Sequence, residues 1–159
     1  MATLSSYTML NLDLKYFAGD MIMNSYMLGL GDLVAKLVAG GVFLLTDLKS
    51  LHHICFGFGT LGSLLMTIFY RQGSLTPILL FLTRSGICMG WVAVQFNFIL
   101  LFPTVLKSSA SGISWFFAGF SGIVAPFLAE LEQPHNLMVL LSIMATALIA
   151  SCFMIDKKS

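Results

Sequence analysis

Charge is what this sequence has least of. Only 9% of its 159 residues are Asp, Glu, Lys or Arg, where an ordinary globular domain carries about a quarter. The net charge is +1 and no basic patch is present, so nucleic acid is not an expected partner. Cysteine is scarce too. Cys55, Cys88 and Cys152 are odd in number, far apart and set in apolar runs, so they read as small buried residues, not a disulfide framework or a metal site. No Gly-rich phosphate loop, nucleophile–base pair or metal-spaced cluster occurs; no enzyme chemistry, cofactor or metal is expected. His52 and His53 are adjacent, so a helix points them to different faces and a shared ion is not expected. Residues Met1 to Tyr16 lack a basic segment followed by an apolar core, and no cleavable signal peptide is expected.

What is abundant is apolar surface. Hydrophobic residues make up 58% of the chain and the mean hydropathy is +0.93. A soluble fold of this size cannot hide that much, so the bilayer is the expected solvent. The pattern predicts an all-α polytopic membrane protein with about five transmembrane helices and no strands. Residues 1–20, with Asp13, Lys15 and Asp20, read as a loop or short interfacial segment. The spans fall at about 21–46, 52–69, 77–101, 109–129 and 136–155, and 156–159 is a charged tail. Pro77 suits a first helical turn. Pro103 pushes the residue before it out of helical geometry, so the third helix ends near Leu101.

The loops carry the orientation. Lys49, Lys107, Lys157 and Lys158 fall on one side; Lys15 and Arg71, with Glu130 and Glu132, fall on the other. The lysine-richer side is expected to be cytoplasmic or its equivalent, which places the C-terminus inside.

A few polar residues stand inside the apolar runs. Asp32 and Lys36 are spaced i,i+4, which lets one helix pair its own charges. They read either as a substrate or proton site at membrane depth or as a self-neutralising pair, and are expected to face protein within salt-bridge reach of each other. Arg84 has no evident partner in its helix; it lines a polar cavity or snorkels to the headgroups. Gln95 and Asn97 hydrogen-bond a solute or, the favoured reading, bridge helices. Trp91 and Trp115 line a cavity, where aromatic faces suit organic cations, or simply pack. The ten methionines read as flexible filler.

Several stretches, in order, are similar to one known group of proteins. Phe17-Ala-Gly-Asp-Met-Ile-Met-Asn24 and Leu28-Gly-Leu-Gly-Asp32 resemble the start of an eighth helix in which an acidic residue is usual. Arg84-Ser-Gly86 resembles an arginine–x–glycine in helix ten. Phe102-Pro103-Thr104 with Lys107 resembles an aromatic-Pro-Thr-x-x-Arg turn, and Gly122-Ile-Val-Ala-Pro-Phe127 a Gly-x-x-x-Pro-Phe in helix eleven. From about Tyr16 onward the chain resembles the C-terminal half of the organic cation and anion transporters of the major facilitator superfamily.

That resemblance implies a solute carrier whose two bundles rock about a central site. It implies gate or turn roles for Asp47, Lys49, Pro103 and Lys107. Against the group's pattern, the turn after its eighth helix is Asp47-Leu-Lys-Ser-Leu-His, with one lysine and no glycine. Leu100 or Leu101 replaces an acidic residue, Lys107 replaces an arginine and cannot form the same two-pronged fork, and Gly119 stands where relatives often place a charge. Helices one to six, and most of seven, have no counterpart. Two functions follow. One is a partial organic-ion transporter, active only when another membrane protein or a second copy completes it. The other is a non-transporting structural subunit that kept the scaffold.

Overall fold

A computed structural model describes residues 2–17, 20–69, 72, 74–131 and 134–153. Arg71, Glu132 and the tail 156–159, used above for orientation, lie outside the described residues. Among the described residues six helices follow one another: α1 (Ala2–Asp13), α2 (Met21–Leu45), α3 (Leu48–Phe69), α4 (Thr76–Leu101), α5 (Thr104–Ala129) and α6 (His135–Cys152), with a 3-10 turn at Leu14–Tyr16. No strand occurs among the described residues. Helices α2 to α6 are each long and apolar enough to cross a membrane. At 1.5 Å per residue they run from about 27 to 39 Å, against a hydrocarbon core of about 30 Å.

The helix limits follow local chemistry. Asp20 caps α2 by accepting from the Ile22 amide at 2.9 Å. Pro77 sits in the first turn of α4, where its missing N–H costs nothing. Phe102 is extended, with φ −101° and ψ 134°, as the following Pro103 requires. Inside the helices, hydroxyls turn back onto their own backbone. Thr60 donates to the Phe56 carbonyl at 2.6 Å, Ser63 to Gly59 at 3.0 Å and Thr83 to Leu79 at 2.8 Å. Polar groups are thereby satisfied without any partner from lipid.

Helix α4 is the centre. Thr83 to Gly90 is one uninterrupted buried stretch, packed on α3, α2 and α1. It runs antiparallel to α3, since Gly62 meets Thr83 and Gly59 meets Gly86. It runs parallel to α2, since Asp32 meets Arg84 and Phe43 stacks on Phe96 at 4.0 Å between centroids. Helix α6 closes the far side of α3. The outer faces of α2 and α5 carry bare apolar side chains, among them Leu37, Leu44, Phe116 and Phe127, as a lipid-facing surface must.

Residues 2–13 differ from the loop or interfacial segment expected of them. They form α1, about 18 Å long and so too short to cross, with Met9 and Leu10 fully buried. It lies between α5 and the pair α4 and α6. The segment A-T-L-S-S-Y-T-M-L-N-L-D is too hydroxyl-rich to read as a span, yet small residues are what close helix packing uses. Thr3, Ser5 and Ser6 are buried, and Ser6 donates to the Met144 sulfur at 3.5 Å.

Candidate functional site

Arg84 is 3% exposed and lies about two turns inside α4. Its Nε donates to Asp32 Oδ1 at 2.5 Å and its Nη2 to Asp32 Oδ2 at 3.1 Å. This two-pronged pair spans α2 and α4. Gly31 lets the helices approach: a β-carbon there would lie 3.2 Å from the Arg84 side chain and from the Phe81 carbonyl. Tyr7 of α1 completes the enclosure. Its ring covers the guanidinium carbon at 3.4 Å from the centroid, its carbonyl accepts from Nη1 at 3.3 Å, and its hydroxyl donates to Asp32 Oδ2 at 3.4 Å. Cys88, one turn beyond Arg84, donates its thiol to Asp32 Oδ1 at 2.8 Å.

This corrects one expectation and removes one of two alternatives. Asp32 and Lys36 do not pair with each other within 4.0 Å. Asp32 takes Arg84 because a planar guanidinium offers two donors in a fork that matches a carboxylate, and an ammonium does not. Arg84 therefore does not snorkel; it has a partner in the next helix. Lys36 is left exposed one turn along α2, facing a cavity.

That cavity has a volume of about 270 Å³ and is walled by Leu4, Tyr7, Asp32, Lys36, Cys88 and Trp91. A smaller one of about 50 Å³ adjoins it through Leu4 and Trp91 and is lined in part by Gln95 and Trp115. Trp91 and Trp115 meet edge to face at 4.9 Å. With Asp32 neutralised by Arg84, the uncompensated charge on the larger cavity is the Lys36 ammonium. Its walls are aromatic and aliphatic.

Asn97 lies elsewhere. Its amide nitrogen is 2.8 Å from His52 Nε2, while His52 Nδ1 is 2.9 Å from the Leu48 carbonyl. A carbonyl can only accept, so Nδ1 carries the proton and Nε2 accepts from Asn97. The pair bridges α3 and α4. Asp47 precedes α3, Lys49 lies in its first turn and Lys107 lies in the first turn of α5, at the end of the bundle where Pro103 caps α5. A β-carbon on Gly119 would meet nothing within 4 Å, and Gly119 is not among the residues lining either cavity.

Leu4, Tyr7 and Cys88 belong to the site but were not singled out from sequence. The i,i+3 spacing of Leu4 and Tyr7 was legible, but only a helix at residues 2–13 gives it meaning. Cys88, at i+4 from Arg84, was legible as sharing that face.

The fold and composition define a multi-pass helical membrane protein. Over 72 residues the chain is 35% identical to a protein of Danio rerio named "Putative transporter SVOPL". The match covers 45% of this chain and 14% of that protein. No protein-family profile matches the chain. The likeness is to a protein named as a transporter, which with the helical membrane fold points away from an enzyme.

Proposed function

We propose that the five spans form one bundle of an organic-ion transporter of the major facilitator type, with the cavity between α1, α2 and α4 as its solute surface and small organic anions as the favoured cargo. The observation that carries this is the Lys36 ammonium. It is the unneutralised charge on an otherwise apolar and aromatic cavity, because Arg84 has taken Asp32. Intramembrane charge of this kind is costly and is the default mark of a solute path. A volume of about 270 Å³ is near the lower end of small-molecule sites, roughly 300–1,000 Å³, so a single-ring carboxylate fits the scale. The similarity to a protein named as a transporter supports the same reading.

Alternating access needs two bundles that enclose one solute and exchange which side is closed. These helices form one bundle, so transport requires a facing bundle, supplied by another membrane protein, a second copy or further chain. The end bearing Lys49 and Lys107 is assigned to the cytoplasmic side; at the opposite end the Lys15 ammonium is already paired with Glu130 at 3.1 Å. The second reading is a non-transporting subunit. It is favoured by the gate residues, where Lys107 replaces a forked arginine and Leu100 or Leu101 an acid.

Reconstitution in liposomes decides between them. Uptake of labelled single-ring carboxylates is measured for this chain alone and with a candidate second bundle, beside quaternary ammonium compounds as the opposite charge class. Saturable carboxylate uptake with the second bundle, lost in Lys36→Gln, is the expected result. Cation uptake overturns the anion assignment, and no uptake under any pairing favours the structural subunit.

A further inference from the structure

A second polar site lies at the other end of α1, away from the cavity. Asp13, the last residue of α1, is fully buried, and so is Asn136 in the first turn of α6. Neither carboxylate oxygen of Asp13 has a hydrogen-bond partner, nor does the Asn136 side-chain nitrogen. The Asn136 oxygen is occupied, accepting from the Leu137 amide at 2.7 Å. Its nitrogen faces Asp13 outside hydrogen-bond geometry, yet close enough to favour the ionised form. Leu10, Leu14 and Leu137, next to these residues in the helices, belong to one apolar cluster.

Among the described residues, no charge neutralises Asp13. Lys15 is a cation whose field reaches it, but its ammonium is half exposed and bound to Glu130, just past the end of α5, at 3.1 Å. His135, beside Asn136, is exposed. From α4, Arg84 reaches α1 at Tyr7 and is committed to Asp32. An isolated buried carboxylate is far more costly than a neutral carboxyl.

We propose that Asp13 is a proton-binding site at the joint between α1 and α6, and that its protonation seats α1 against the bundle. The proton comes from water and binds one carboxylate oxygen. The neutral carboxyl then presents one hydroxyl donor and one carbonyl acceptor, the latter for Asn136 Nδ2. The ionised form draws water into the joint and loosens it. Helix α1 carries the consequence inward, since Tyr7 lies about 9 Å along it from Asp13 and walls the cavity. Burial pushes the Asp13 carboxyl up from 3.8 to about 6, against smaller opposing effects of Asn136 and Lys15.

The test is an infrared pH titration of the purified full chain in nanodiscs, following the carbonyl stretch of a protonated, buried carboxylic acid. The expected result is a band that disappears with a midpoint near pH 6. The band is absent in Asp13→Asn, and its midpoint rises in Asn136→Ala, which removes the group favouring ionisation. Trp91 emission, recorded in a Trp115→Phe background, is expected to change with the same midpoint. Absence of the wild-type band, or its persistence in Asp13→Asn, overturns the site. A midpoint that moves when sodium is exchanged for choline at constant ionic strength also overturns it, in favour of a metal-cation site. Unchanged Trp91 emission overturns the seating of α1. The wild-type titration stands even if the Asp13 variant does not fold.

Discussion

Gly86 of α4 rests on the backbone of Gly59 of α3, with no room between them for a β-carbon on Gly86. This crossing fixes how close the central helix comes to its antiparallel neighbour. One turn away, a β-carbon on Gly62 would lie 2.8 Å from Thr83 Cα and N. The two positions of the crossing are unequal. A methyl on Gly86 strikes backbone, whereas one on Gly59 strikes chiefly the flexible end of Met144.

Gly86→Ala is therefore expected to cost about 2–3 kcal/mol or to prevent folding, and Gly59→Ala clearly less. Gly57→Ala and Gly40→Ala, where nothing lies within 4 Å, serve as neutral controls. Thermal unfolding in detergent, read by circular dichroism, checks the order. Equal loss at Gly86 and Gly57 would contradict the packing.

Arg84→Ala leaves the Asp32 carboxylate with no partner cation across the helix interface. Removing one member of a buried pair costs about 3–5 kcal/mol. Asp32→Ala added to Arg84→Ala is expected to restore much of it, because the stranded charge is gone. Arg84→Lys should remain impaired, since an ammonium cannot reproduce the fork. Thermal midpoints of the wild type, Arg84→Ala, Asp32→Ala and the double variant form a double-mutant cycle, with Arg84→Lys measured beside it.

Lys36→Gln is expected to leave the thermal midpoint within about 0.5 kcal/mol equivalent, because Lys36 is exposed and has no ion-pair partner within 4.0 Å. It should abolish quenching of Trp91 by single-ring carboxylates. Titration of tryptophan emission with benzoate checks this, and undiminished quenching would remove Lys36 from the site.

Stability should depend on pH through Asp13. Its carboxyl is raised in the folded state from 3.8 to about 6, so the folded protein holds the proton more tightly than the unfolded chain. The stabilisation is fully present below pH 3.8, fades as pH rises through about 6, and is lost above it. Asp13→Asn, which stays neutral, should be more stable than the wild type at about pH 7.5, by up to about 3 kcal/mol. At about pH 5 the difference should be roughly half as large, and it should close only below pH 3.8. Unfolding midpoints at both pH values decide it; a wild type that gains stability as pH rises would refute the sign.

Much of this architecture was legible in the sequence because lipid imposes a simple rule. A run of apolar residues long enough to cross must be a helix, since every backbone group has to be satisfied within it. That rule yields an all-helical chain with five membrane-crossing helices and the helix end at Leu101, with no knowledge of neighbours. Composition alone set the solvent, because 9% charge leaves no polar shell for water.

The tertiary structure decided what those spans do to one another. Periodicity within α2 suggested that Asp32 would pair with Lys36, but pairing energy depends on donor geometry across an interface, and Arg84 is 52 residues away in the chain. Helix α1 was invisible because its stability comes from packing between α5 and the rest, not from propensity or an apolar stripe. With α1 unseen, Tyr7 could not be placed on Arg84, nor Asp13 beside Asn136. Length and hydropathy are properties of a segment and can be read from it. The partner of a buried charge is a property of two segments, and only their approach, set here by Gly31 at the α2–α4 interface, reveals it.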